Sequence, residues 1–522
     1  MNPFARPPSK LWRLARWAGL AAAAPALWAC TSRTLDAPAT TPSAVGTWTQ
    51  AQKINNNLDL LFMIDDSSSM QSMQQKLLDQ LPRFMNILEG LPVKPNLHVA
   101  VVSSDMGAKS DTNIMCSQTG GNQGQFFSQP EGSCLATTLT PGDTFISDVD
   151  GVSNFTDPIA SVFQCIALLG SNGCGFEHQL ASIDRALGAD GLGPAPASNA
   201  NFLRPDAYLG IVMLTNEDDC SAPADTTIYS LNAGAWSINN ADGPLANYRC
   251  NGGPRGGHLC KDLNPGSTNM GYATPPLVPP SDAAGAPPML QLSDCQDNES
   301  GSSALTPVSK FIQDIRALKP DPDNQIFVGE IIGPPVPYGV EWAPSGNPDL
   351  PNELWPQVMH SCGAVGSDGV NPDPHAQNAT DQSFGDPGVR EQQFAFGFSR
   401  SVVASICDPD YSQSMVQIAD AIGKLITPPC INGQIQSDAQ GNPACSVIET
   451  LTDSAGNKTS VAVPNCAENG NAAPCWTLEA GTNGCTGQSL KFNDSAADMM
   501  SASAYSTVSC SLCMPGVATP GC

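Results

Sequence analysis

The chain has 522 residues, with 23 basic and 49 acidic side chains and a formal net charge of −26. Such a surface repels nucleic acid and anionic lipid headgroups and attracts cations. The length suggests about three domains, and with 47 Gly, 46 Pro and 41% hydrophobic residues the chain is rich in loops yet has enough apolar material for a core, which excludes wholesale disorder.

Residues 1–29 read as an export signal. Arg6, Lys10, Arg13 and Arg16 form a basic stretch, and Trp17 to Ala29 is an apolar run too short to span a membrane as a mature helix. The run ends in Leu27-Trp28-Ala29-Cys30, which resembles the lipobox of bacterial lipoproteins. The resemblance implies a lipid on Cys30 and a place in the bacterial cell envelope; a plain cleavable signal with Cys30 incidental is the alternative. Thr31, not Asp, follows the cysteine, which by the same resemblance permits delivery to the outer membrane. Residues 30–53, rich in Thr, Ala, Pro and Ser, read as a lipidated tether. Apart from Cys30, 18 cysteines remain. In an exported chain an even number argues for up to about nine disulfides rather than metal or redox thiols.

The first buried strand is the apolar run Leu58 to Ile64. Asp65-x-Ser67-x-Ser69 follows it, and then Met73, Leu77, Leu81, Phe84 and Leu88 recur at helical spacing. Pro82 inside that pattern predicts a kink, or a break and restart. A carboxylate and two hydroxyls thus stand at the carboxyl end of a strand, where α/β sheets place ligands. Strand, loop and helix together resemble the von Willebrand factor type A domain and its metal-ion-dependent adhesion site. The resemblance implies that Asp65, Ser67 and Ser69 hold a divalent cation, with Mg2+ first and Mn2+ or Ca2+ as alternatives. Magnesium takes hard oxygen ligands and keeps positions open for water or a partner's oxygen. The plainer alternative is that Ser67 or Ser69 caps the helix.

Leu97 to Ser103 is a second buried strand, followed by Asp105, a turn residue or a supporting group for the site. Residues 109–157 read as an irregular insertion closed by Cys116 and Cys134. A helical segment covers Ile159 to Leu169, and Cys165 and Cys174 suggest a local bridge. Gly175 to Leu187 is similar to the family's middle loop and the helix after it. There the family has a Thr; here Glu177 is the nearest oxygen donor, either a ligand or a favourable charge in a first helical turn. A glutamate ligand would hold the metal tighter and leave it less attractive to an acidic partner. His178 reads as a surface or packed imidazole.

Tyr208 to Leu214 is the next buried strand, running into Thr215-Asn216-Glu217-Asp218-Asp219. Asn216 stands where the family has an Asp, so either Asn216 supplies a neutral oxygen or Asp218 reaches in. Three adjacent acids at a strand end repel unless a cation or solvent relieves them. Residues 221–304 read as a disulfide-stapled insertion, with a helix over 307–318 and a strand over 325–332 after it. A second insertion, 333–396, carries Cys362 and an Asp- and Pro-rich run from Asp368 to Asp386 that lacks the spacing of an EF-hand. A strand over 401–407 and a helix over 411–425 follow. Residues 427–522 carry eight cysteines and hairpin signals, which predicts a small, mostly β, disulfide-bonded module. Cys510 and Cys513 read as ordinary bridge partners.

The expected fold class is α/β: a doubly wound, mainly parallel sheet of von Willebrand A or Rossmann-like type over 54–426, with insertions near 109–157, 221–304 and 333–396. The resemblance implies a binding function. The expectation is an envelope lipoprotein that binds a protein or extracellular partner through a cation held by Asp65, Ser67, Ser69, Glu177 and Asn216 or Asp218. No nucleic acid is expected. No Gly-x-Ser-x-Gly elbow, His-Glu-x-x-His or phosphate loop occurs, so no enzyme is expected. The alternatives are a structural envelope protein whose metal only holds loops, and a metal-assisted hydrolase.

Overall fold

The computed structural model describes residues 44–51, 55–91, 94–108, 116, 120–128, 139–231, 234–246, 248–263, 271–285, 288–345, 349–363, 383–426, 430–452, 458–480, 487–493, 505–514 and 521–522. Cys30, most of the tether, Cys134 and the acidic run up to residue 382 lie outside them.

The chain divides into two units, and the larger spans 47–432 and 446–508. Its centre is a seven-stranded sheet built from β1 (Asn57–Ile64), β2 (Asn96–Ser103), β3 (Ile146–Val149), β4 (Val152–Ser153), β5 (Tyr208–Leu214), β6 (Ile326–Ile332) and β7 (Ser401–Ser405). The order is β7-β6-β5-β1-β2-β3-β4. The first five strands in that order run parallel, and β3 and β4 add antiparallel edges. The helices are α1 (Gln71–Glu89), α2 (Ile159–Ile166), α3 (Gln179–Leu187), α4 (Val308–Arg316), α5 (Val389–Phe396) and α6 (Ser412–Ile426).

Strand side chains alternate between faces. Leu58, Leu60, Phe62 and Ile64 of β1 join a core with α1, α2 and α6. Leu61 and Met63 of the same strand join another with α3, α4 and α5. An apolar run with no polar alternation is what a strand covered on both sides requires. The ring of Phe62 meets those of Phe84 and Phe163 edge-on, with centroids 5.7 and 4.7 Å away. Register then positions the site. Ile64 lies opposite Ser103 on β2 and Leu214 on β5. The next residues, Asp65, Ser104 and Thr215, therefore leave the sheet side by side.

Several expectations change. Pro82 does not break α1, which is continuous from Gln71 to Glu89. Buried Met73, Leu77 and Leu78 before the proline, and Phe84, Met85 and Leu88 after it, hold both halves against the sheet. This packing offsets the missing N–H. The stretch read as irregular before Asp157 contains β3 and β4, and the second insertion ends in α5, whose Phe394 and Ala395 are core residues. The two insertions also share an antiparallel sheet, strands 354–358, 338–344, 288–297 and 258–262 in that order. Leu290, Tyr338, Val340 and Trp342 form its buried side.

Disulfides connect distant segments. Cys116 bonds Cys174, correcting both the Cys116–Cys134 and the Cys165–Cys174 expectations. The two lie in one buried cluster with Phe176 and Tyr229, so their neighbourhood is set by packing and not by closeness in sequence. Cys220–Cys250 and Cys260–Cys295 staple the first insertion, and Cys362–Cys407 ties the second to the end of β7. Further on in this unit, 447–452 pairs antiparallel with 458–463, 475–480 pairs with 488–493, and Cys466 bonds Cys475.

The smaller unit comprises 1–46, 433–445 and 509–522. Here Cys445 bonds Cys510 and Cys513 bonds Cys522, so Cys510 and Cys513 enter separate bridges.

Candidate metal centre

Asp65 is fully buried at the end of β1. Its Oδ1 accepts from the Ser67 backbone N–H at 2.8 Å and from Ser104 Oγ at 3.2 Å. Its Oδ2 accepts from Thr215 Oγ1 at 2.8 Å. A carboxylate offers about four acceptor sites, so about one remains. Burial pushes the Asp65 carboxyl up, and these hydrogen bonds work against that rise. The loop is braced from behind, where Gln74 Nε2 donates to the Asp65 carbonyl at 2.7 Å and to the Gly170 carbonyl at 2.8 Å. Helix α1 has no side-chain N-cap bond, so neither Ser67 nor Ser69 caps it.

Instead the two serines face β5. Ser67 Oγ lies 3.3 Å from Ser69 Oγ, which donates to Asn216 Oδ1 at 3.2 Å. Three neutral oxygens thus form a row beside a buried carboxylate. Asn216 is buried, and its Nδ2 has no hydrogen-bond partner. Adjacent ligands of an octahedral magnesium at about 2.1 Å stand about 3.0 Å apart, and those of calcium at about 2.4 Å stand about 3.4 Å apart. The observed spacings fall between these values, and the donors are all hard oxygens. The row therefore fits a hard divalent cation. Among the described residues no three His, Cys, Asp or Glu side chains converge as metal ligands, so beyond Asp65 any cation here depends on hydroxyl and amide oxygens. Carboxylates crowd behind the row as well. Asp66 is buried, its Oδ1 has no partner, and burial together with the charges of Asp65 and Asp105 pushes it well up. Asp105 itself makes a turn, its Oδ1 accepting from the Gly107 N–H at 2.7 Å.

Glu177 and Asp218 lie outside the row. Glu177 is buried just before α3; burial first, then the charges of Glu217 and Asp65, raises its carboxyl, which is hydrogen-bonded to Glu217. Both oxygens of Asp218 are engaged: Oδ2 with His258 Nε2 at 2.5 Å and Oδ1 with the Arg390 N–H at 2.9 Å. Asp219 accepts from Arg390 Nη2 at 3.0 Å and from the Leu180 N–H at 3.0 Å. The acids after Asn216 are thus divided: Asp218 and Asp219 turn toward Arg390 and His258, and Glu217 toward Glu177. His178 is buried, its ring 5.0 Å from that of Tyr229.

Thr215, Ser104, Gln74, His258 and Arg390 were not expected at the site. Thr215 and Ser104 are legible in hindsight, since each is the first polar residue after a buried strand next to β1. His258 and Arg390 come from the insertions, and no local pattern marks them.

No family model matches the sequence, and no curated protein matches it. Among solved structures, a von Willebrand factor type A protein from Catenulispora acidiphila is 9% identical with a TM-score of 0.26, over 92% of this chain and 67% of that one. The vWF domain of the type V pili tip protein Mfa5 from Porphyromonas gingivalis is 12% identical with a TM-score of 0.27, over 73% of this chain and 99% of that one. The pilus adhesin SpaC from Lactobacillus rhamnosus GG is 8% identical with a TM-score of 0.27, over 90% of this chain and 40% of that one. At these scores the likenesses carry no functional information.

Proposed function

We propose that this chain is a non-catalytic binding protein of the bacterial envelope. It engages a protein or other extracellular partner through a divalent cation at the end of β1. The observation that carries the reading is the row of Ser67, Ser69 and Asn216 oxygens beside buried Asp65. Asp65, Ser67, Ser69 and Asn216 would hold the ion. A bound cation would supply a Lewis-acidic position for a partner's oxygen.

Calorimetry with Mg2+, Mn2+ and Ca2+ tests it. The wild type should bind at least one of these ions and melt at a higher temperature with it, through linkage. Asp65→Ala should abolish both effects, and Ser67→Ala should weaken them. Equal binding by wild type and Asp65→Ala would remove the site. Metal-dependent melting without metal-dependent retention of any partner from envelope extracts would leave the ion a structural role only.

The anchor belongs to the same proposal. Cys30→Ala should shift the protein from the membrane fraction to the soluble one, and mass spectrometry should find lipid on the wild-type N-terminus. Unchanged fractionation and an unmodified N-terminus would remove it.

A further inference from the structure

Beside the cation loops, within the larger unit, lies a partly open cavity of about 200 Å3. Glu177, Glu217 and Asp386 form its acidic wall, and Tyr248, Trp355 and Val358 line it elsewhere. Among the described residues no Lys or Arg lines it. Asp386 already has a counter-group in His360, whose Nδ1 is 2.6 Å away. Glu177 differs. It is 2% exposed, its Oε1 has no hydrogen-bond partner, and its carboxyl is bonded to another acid, Glu217. A buried oxygen left this way is costly unless a donor arrives.

The donor's chemistry follows from the walls. At about 30 Å3 per water the space equals roughly seven waters, too roomy for a bare ion. Among the described residues no three acids converge as metal ligands. Aromatic and apolar walls suit an alkyl stem, and a cation gains from lying near a ring face. Two neighbouring carboxylates match the forked donors of a guanidinium better than the point charge of an ammonium. The net charge of −26 draws basic partners from a distance.

We propose that this cavity receives an arginine side chain of the protein partner. The guanidinium lies against the Glu177–Glu217 pair and donates to the unpartnered Glu177 Oε1, and the stem lies against Trp355 and Tyr248. The source of the arginine rests on the partner-binding reading above; the cavity's preference for a guanidinium does not.

The test is calorimetry on the full chain in EDTA at fixed ionic strength. The probes are n-butylguanidinium, its neutral isostere n-butylurea, and a short peptide with an internal arginine beside its citrulline counterpart. Butylguanidinium should bind saturably and butylurea about tenfold more weakly or worse, with the same contrast between the peptides. Glu217→Gln should weaken guanidinium binding by about tenfold. Equal binding of charged and neutral probes by wild type would overturn the inference without recourse to any variant. Binding of the small cation but not of the arginine peptide would overturn the partner side chain as occupant. Divalent-ion binding without guanidinium binding removes this inference alone, and the reverse result removes the metal reading alone.

Discussion

Arg390 is fully buried among carboxylates. It donates to Asp219 through Nε at 3.2 Å and Nη2 at 3.0 Å, and to Asp297 through Nη1. Its backbone N–H meets Asp218. A guanidinium spanning two carboxylates holds the first insertion, the end of β5 and the start of α5 together. Arg390→Met should therefore cost about 3–5 kcal/mol in chemical denaturation, because Asp219 and Asp297 lose their buried counter-charge. Arg390→Lys should rescue little, since one ammonium cannot make the fork. Full stability of Arg390→Met would contradict this account. The need for a counter-charge after Asn216 was legible in the sequence; its identity was not, because Arg390 lies 171 residues beyond Asp219. At the far end of the sheet, burial lowers the His98 imidazole to about 4. Its Nδ1 lies 2.8 Å from the Phe202 carbonyl. The unfolded chain takes up this proton near pH 6.5 and the folded chain resists it, so stability is lost as pH falls from about 6.5 toward 4. Asp59, raised by burial to about 6, acts in the opposite sense, adding stability as pH falls from about 6 to 3.8. His98→Asn should remove only the first effect. Its melting temperature should fall less than that of wild type between pH 6.5 and 4.5, and equal falls would assign the acid sensitivity elsewhere.

At the scale of elements, the parallel strands were legible because each is a continuous apolar run ending in polar residues. Tyr208–Leu214 and Asn96–Ser103 match the reading to within a residue. Their shared register made Asp65 and Asn216 neighbours without any long-range information. The second sheet was not legible. Its strands carry Pro288, Pro344, Pro356, Cys260 and Cys295 and alternate poorly, and the pairing that joins them into one sheet, 288–297 with 338–344, runs between the two insertions. The edge strands β3 and β4 are too short, at four and two residues, to make a periodic signal. Pro82 failed as a helix breaker because a proline acts on one turn, whereas burial along α1 acts on the whole helix. Glu177 marks the same boundary at the site. Its place before α3 was readable from the Gly175–Leu187 segment, but its bond to Glu217 depends on how two loops from separate strands close.

Across the whole molecule, two kinds of support are divided unevenly. The central sheet has apolar clusters on both sides of β1, so its stability comes mainly from area removed from water. In the smaller unit, the described residues of 433–445 and 509–522 include a single buried one, Cys510. A segment with so little buried surface depends on its covalent ties. Cys445–Cys510 closes a long loop, with a sequence separation of 65, and Cys513–Cys522 closes a short one. Bridges of this kind are worth about 2–4 kcal/mol each. Reduction should accordingly loosen 433–445 and 509–522 first, while the sheet of β1 to β7 keeps a cooperative melt. Limited proteolysis along a series of reductant concentrations, with thiol labelling read by mass spectrometry, checks the order. Cleavage and labelling should begin around Cys445, Cys510, Cys513 and Cys522. Opening of Cys220–Cys250 or Cys362–Cys407 at an equal or lower concentration would show that the insertions, and not the cysteine-bonded end of the chain, are the weakest part.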